Sequence, residues 1–262
     1  MPDAPENRTI ELAVGAIHAL VGGSGRDLVI LHHDVGPMGW KALQIALAGE
    51  FRVWALDLPG WGESPRLDWL RHPRDLAAVT LAAMRKAGIR EPILVGLGFG
   101  GWVAAEMAVM AHPEIAALVL VAPAGLHPGE GYFLDQVLEE HVAYLRAGFS
   151  SEEAFLAIFP DPADRALRRR LDEAREMVAR VSWKPYMYSY ELAELLPEVP
   201  IPSAVIRAAG DRIVPAGCPA RFSELLPAST SHTVDCGHFA DLEAPAEVAA
   251  IITSTAARAR KE

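Results

Sequence analysis

The sequence predicts an α/β domain, a mainly parallel sheet with helices on both faces, interrupted once by a helical insertion. Three observations carry this. Short aliphatic runs alternate with segments whose apolar residues recur at helical spacing, the pattern of repeated strand–helix–strand units. The alternation stops after Gly125 and resumes near Ser203. The composition, 51% hydrophobic and 22% charged over 262 residues, supplies enough apolar surface for one large core.

In order along the chain, Thr9–Leu20 spaces its apolar residues as a strand does, and the turn Gly22–Gly25 leads into the continuous apolar strand Asp27–Leu31. Gly39–Ala48 is expected as a helix and Arg52–Leu56 as a strand. Pro73–Ala87 places Leu76, Ala77, Leu81 and Met84 on one helical face. A strand at Ile93–Val95, a helix at Phe99–Ala111 and a strand at Ala117–Val121 follow. Residues 126–198 are helical, charged and aromatic, include the run Asp164–Val181, and contain no strand candidate. The division is therefore a core domain of residues 1–125 and 199–262 with residues 126–198 inserted as a helical cap. Ser203–Ala208 and Ser231–Val234 read as strands, and Pro219–Leu226 and Pro245–Ala257 as helices.

The charge balance excludes several functions. With 24 basic and 34 acidic side chains the formal net charge is −10, so no basic field favours nucleic acid. Two cysteines, Cys218 and Cys236, are too few for a disulfide scaffold and fit a reducing compartment, which points to the cytoplasm. The N-terminus is acidic and polar, unlike a signal peptide. No apolar run reaches the roughly 20 residues that span a bilayer. The expected partner is a small molecule, with no nucleic acid, no membrane, no cofactor and no metal; a homodimer is compatible with the sequence.

Four segments carry chemistry. The strand Asp27–Leu31 runs into His32-His33-Asp34-Val35-Gly36. Asp57-Leu58-Pro59-Gly60-Trp61-Gly62-Glu63-Ser64 is a glycine-rich loop after the next strand. Val95-Gly96-Leu97-Gly98-Phe99-Gly100-Gly101 joins a strand to a helix. Near the C-terminus, Gly210-Asp211-Arg212-Ile213-Val214-Pro215 is followed by Cys236-Gly237-His238-Phe239.

Taken in this order over nearly the whole chain, the segments resemble the α/β-hydrolases. The resemblance implies an α/β-hydrolase fold with a sheet of about eight strands. It makes Gly96–Gly100 a nucleophile elbow and Asp211 and His238 the acid and base of a triad, with oxyanion-hole amides at Phe99 and in the loop after the first parallel strand, here Asp34. The sequence departs from the family at three points. His33 stands where the family has glycine, and Asp34 lies at the oxyanion-donor position, where its charge would oppose an oxyanion. Gly98 occupies the nucleophile position, which closes the covalent serine route.

The expected catalytic set is thus His238, Asp211, the vacant Gly98 and Asp34, with Phe99 and Asp34 as backbone oxyanion donors. Substrate-binding candidates are His33, Trp61, Trp183, Tyr186 and Tyr188. Gly98 is expected to leave space for a water that His238 deprotonates, giving hydrolysis of a small apolar or aromatic ester, lactone or C–C ketone. The alternatives are a lyase or cofactor-free oxygenase that abstracts a substrate proton, and a non-catalytic small-molecule binder. Plainer readings also stand. His32, His33 and Asp34 could suggest a metal, but neighbours on a strand point to opposite faces. Cys236 fits a small buried hydrophobe better than a replacement nucleophile. Ser64 belongs to a structural loop. The aromatic stretch Trp183–Tyr190 reads first as cap packing, and Arg168-Arg169-Arg170 as a solvated helix face.

Overall fold

The computed structural model describes residues 4–259. Among them, eight strands form one sheet: β1 (Glu6–Leu12), β2 (Gly15–Gly22), β3 (Arg26–Leu31), β4 (Phe51–Leu56), β5 (Ile93–Leu97), β6 (Ala117–Val121), β7 (Ser203–Ala208) and β8 (Ser229–Val234). Their spatial order is β1-β2-β4-β3-β5-β6-β7-β8. β1, β2 and β4 pair antiparallel, and every pair from β4 to β8 is parallel.

The expected single run Thr9–Leu20 is two strands. Leu12 pairs with Gly15 across a tight reversal, and Gly15 takes φ +142°, which a side chain would resist. Alternating apolar residues on both arms, Ile10 on β1 and Ile17, Ala19 and Val21 on β2, face the same core, so the two arms read as one strand.

The central parallel strands are buried on both faces, which explains their unbroken apolar runs. Along β3, Val29 and Leu31 join the core under α2 (Pro73–Lys86) and α3 (Phe99–Ala111). Leu28 and Ile30 join the opposite core under α1 (Ala42–Leu47) and α10 (Pro245–Arg258). Between β6 and β7 lie α4 (His141–Ala147), α5 (Glu152–Ile158), α6 (Arg165–Val181) and α7 (Tyr190–Leu195), with no strand among the described residues. α8 (Gly217–Leu225) follows β7, and the short α9 (Ala240–Glu243) precedes α10.

One feature of the topology positions the site. β3 lies between β4 and β5, both of which follow it in the chain, so the loops leaving β3 and β5 run to opposite faces of the sheet. The crevice between such loops is where open α/β sheets bind ligands. Here it brings the β3 loop, with His33 and Asp34, against Gly98.

Candidate active site

The elbow is built for close backbone approach. A Cβ at Gly96 would lie 2.5 Å from Gly100 O, and one at Gly100 would lie 2.5 Å from both Leu31 O and His32 O. Glycine is therefore required on both sides of position 98. Gly98 itself has φ +53° and ψ −113°, a conformation costly for a residue with a side chain. Phe99 opens α3, so its N–H is one of the amides the helix cannot pair. Among the described residues, neither the Phe99 nor the Asp34 N–H finds a backbone acceptor. Both amides are thus without a backbone acceptor, the state in which an N–H can receive a developing negative charge.

His238 and Asp211 come together as expected. His238 Nδ1 lies 2.8 Å from Asp211 Oδ2, while Asp211 Oδ1 accepts the amides of Ile213 and Val214. The loop after β7 thereby fixes the carboxylate and the carboxylate fixes the ring.

The space above Gly98 differs from the expectation. A Cβ on residue 98 would meet His33 Nδ1 at 2.5 Å and His238 Nε2 at 2.7 Å. No room remains for a water in the serine's place, because the His33 ring fills it. His33 Nδ1 is 3.2 Å from His238 Nε2, and on its far side His33 Nε2 is 2.9 Å from Asp241 Oδ1. His33 is therefore more than the substrate-binding residue expected. It is the middle of a buried chain running Asp211–His238–His33–Asp241, closed over by the Phe239 ring, 4.9 Å from that of His33.

The chain contains a constraint on protons. Carboxylates only accept, so His33 Nε2 and His238 Nδ1 both donate outward. The two nitrogens that face each other share a hydrogen only if the pair holds one proton more than two neutral imidazoles. The electrostatics agree: burial pulls the His238 pKa down, but the charge and hydrogen bond of Asp211, with the charges of Asp34 and Asp241, outweigh it and raise the pKa above 6.5.

His32 has the opposite character. Its Nδ1 donates to His33 O at 2.6 Å and its Nε2 accepts the Leu58 amide at 3.1 Å, so it is a neutral clip between the loops after β3 and β4. Burial, partly offset by the His33 carbonyl, lowers its pKa. It is not available to a metal, and among the described residues no three His, Cys, Asp or Glu side chains are grouped to hold one.

These two histidines set a pH dependence of stability. The raised pKa of His238 adds stability that is complete below the ordinary value of 6.5 and is lost as pH rises through the folded value. The lowered pKa of His32 removes stability as pH falls below 6.5. In urea titrations, His238→Asn should flatten the slope on the alkaline side of about pH 6.5, and His32→Asn the slope on the acid side. Unchanged slopes in the variants would contradict the assignment.

Asp34 is buried at 1% exposure. Its Oδ2 accepts the hydroxyl of Tyr144 from α4, its carbonyl accepts Trp61 Nε1 at 3.0 Å, and its Oδ1 has no hydrogen-bond partner. Tyr186 lies near it, with its hydroxyl accepting the Gln136 amide at 2.9 Å; burial and the Asp34 charge raise the pKa of both tyrosines.

Trp61 packs between His32 and Phe99 beneath the site. The structure does not bring Trp183 or Tyr188 to the centre. Trp183 is 51% exposed and touches Tyr186, whereas Tyr188 packs on His127 and Tyr190. Cys236 is no rival nucleophile, since burial pushes its thiol up to about 12. The Ser64 hydroxyl is committed to Asp57 O and the His18 amide. Arg169 pairs with Glu173 on an exposed face of α6.

Two residues of the site escaped the sequence reading. Asp241 follows His238 by three positions, and that spacing into a one-turn helix was its only signal. Tyr144 lies in the helical insertion and had none.

Comparison with known proteins agrees with this fold. The model of the alpha/beta hydrolase family matches residues 28–251. The dihydrolipoyllysine-residue acetyltransferase component of the acetoin cleaving system of Pseudomonas putida is 30% identical over 241 residues, 87% of this chain and 63% of that longer protein. The chain thus spans less than two thirds of that relative. The 2-hydroxy-6-oxononadienedioate/2-hydroxy-6-oxononatrienedioate hydrolase of Paraburkholderia phymatum is 28% identical over 254 residues, covering 87% of this chain and 86% of the relative. Among solved structures, a membrane phospholipase A superposes with a TM-score of 0.84 over 99% of this chain and 88% of its own; at 20% identity it shows the shared fold. With the family model spanning both the elbow and the histidine loop, the chain belongs to the alpha/beta hydrolase family.

Proposed function

We propose that the protein hydrolyses a small molecule at an ester or C–C ketone carbonyl by general acid–base chemistry of the His33–His238 pair, without a serine acyl-enzyme. The observation that carries this reading is the His33 ring in the nucleophile's place, bonded to His238 on one side and Asp241 on the other. Two buried imidazoles that share one proton between two carboxylates form a proton reservoir. The pair gives its shared proton to the departing oxygen or carbon and, once neutral, takes one back from the attacking water. Product acid and leaving group together balance substrate and water. The free amides of Phe99 and Asp34 hold the carbonyl oxygen as it gains charge.

The helices of residues 126–198 act in this reading as a cap. Tyr144 of α4 reaches down to Asp34, and the turn after α4 is tied to both catalytic loops. Arg212 donates to the carbonyls of Ala147 and Phe149, and Glu243 accepts the amides of Ser150 and Gly237.

The test is turnover of a panel of aryl esters, lactones and vinylogous diketones. His238→Ala should lower kcat/KM by about 10²–10⁴-fold, the usual share of a positioned acid–base group. A serine-directed fluorophosphonate should leave the protein unlabelled. Labelling, or turnover indifferent to His238→Ala, would refute the reading. A second reading, a non-catalytic binder, is favoured by the 1% exposure of His33, Asp34 and His238 alike, and predicts ligand binding with no turnover on any panel member.

A further inference from the structure

Asp34 presents a feature that the hydrolytic chemistry does not use. A carboxylate oxygen buried without a hydrogen bond is costly, by several times the value of an ordinary bond, and native proteins rarely leave one. Asp34 Oδ1 is such an atom. A second unpartnered acceptor, Gln136 Oε1, belongs to the buried residue whose amide holds the Tyr186 hydroxyl.

The wider balance points the same way. Asp211 and Asp241 each hold one ring of the histidine pair, and the Asp34 charge acts on His238 beside them. Among the described residues, none of the three pairs with an arginine or lysine. The centre is therefore short of positive charge. Aromatic residues stand around it: Tyr144 meets Asp34 through its hydroxyl, Tyr186 lies within reach of the Asp34 charge, and Trp61 packs on Phe99. Tyr186 also borders an open cleft of about 590 Å³ between Tyr188 and the loop His127–Phe133.

We infer that the site receives its ligand through a protonated amine, which donates to Asp34 Oδ1. Because the Asp34 N–H faces the reacting carbonyl in the reading above, amine and carbonyl are near neighbours in the same molecule, an amino-carbonyl compound with an aromatic or apolar body. The carbonyl's placement rests on the hydrolytic reading; the amine's rests on the orphaned carboxylate oxygen and the charge balance. A dianionic substrate, such as the dioate named for the Paraburkholderia relative, is the opposite of what this centre accommodates.

The experiment is calorimetric titration of the whole chain with three matched amides: 3-amino-4-phenylbutanamide, 3-hydroxy-4-phenylbutanamide and 4-phenylbutanamide. The amino compound should bind about ten-fold tighter than the hydroxy compound, and the unsubstituted amide weakest, as a charged donor in place of a neutral one on the same carboxylate predicts. Asp34→Asn should erase the preference for the amine. Tyr144→Phe keeps the carboxylate and frees its second oxygen, so it should retain the preference, and it serves if Asp34→Asn does not fold. Equal binding of the hydroxy or unsubstituted amide, no binding by any of the three, survival of the preference in Asp34→Asn, or its loss in Tyr144→Phe would overturn the inference. The preference should also persist in His238→Ala. If ester turnover is absent while the amine preference holds, only the hydrolytic reading falls.

Discussion

Gly98→Ser alone should give an inactive and destabilised protein, whereas Gly98→Ser combined with His33→Gly should fold and react with a fluorophosphonate. The single change adds a Cβ at 2.5 Å from His33 Nδ1 and 2.7 Å from His238 Nε2. Neither ring can retreat cheaply, because Asp241 and Asp211 hold their far sides at 2.9 and 2.8 Å. Overpacking of this kind costs about 1–3 kcal/mol, and the φ of +53° adds about 1–3 kcal/mol for any side chain. A loss of roughly 3 kcal/mol or more in urea unfolding is expected. The double change removes the obstructing ring and restores a serine beside a histidine–aspartate pair, with both oxyanion amides in place. If the single variant is as stable as the parent, the rings are not held as described. If the double variant folds but never reacts with the phosphonate, the serine hydroxyl does not reach His238.

Asp241→Asn should impair turnover about as severely as Asp211→Asn, by about 10²–10⁴-fold in kcat. Each carboxylate holds one ring of the pair, and the two bonds are nearly equal in length. An asparagine can still accept from His33 Nε2 through its carbonyl, but it supplies no charge to stabilise the shared proton. If its amide nitrogen faces the ring instead, the tautomer of His33 inverts and both imidazoles lose their arrangement. The distinguishing readout is the pH profile. Without Asp241 the pair holds its proton less tightly, so the limb of the kcat profile that reports its ionisation should move to lower pH. A variant with parental kcat and an unmoved limb would reduce Asp241 to packing.

The legibility of this protein in its sequence divides along physical lines. β5, Gly98 and α3 were readable because strand, tight turn and helix are local, and because glycines at 96 and 100 answer to backbone crowding that any such elbow imposes. Asp211 and His238 were readable from the loops that carry them. His33 was visible as a departure, yet its role depends on a hydrogen bond to Asp241, 208 positions away, and no local pattern encodes that partnership. Asp34 was flagged for its charge, but its partner Tyr144 comes from an insertion whose helical register alone says nothing of what it touches. Trp183 and Tyr188 are ambiguous in sequence for the complementary reason: aromatic density marks packing and display equally, and here Trp183 is half exposed. The edge hairpin was missed because alternation reads the same through a two-residue reversal.

The occupancy of one small volume by His33 also constrains how this chain can change over generations. Restoring serine first collides with the ring already there. Removing the ring first strands Asp241 and leaves His238 facing an empty, polar gap, a loss of about 1–3 kcal/mol for each buried group left unpaired. Either order passes through an intermediate worse than both ends. The two positions behave as one heritable unit, and a lineage that acquires both is held away from serine chemistry by the cost of the first step back.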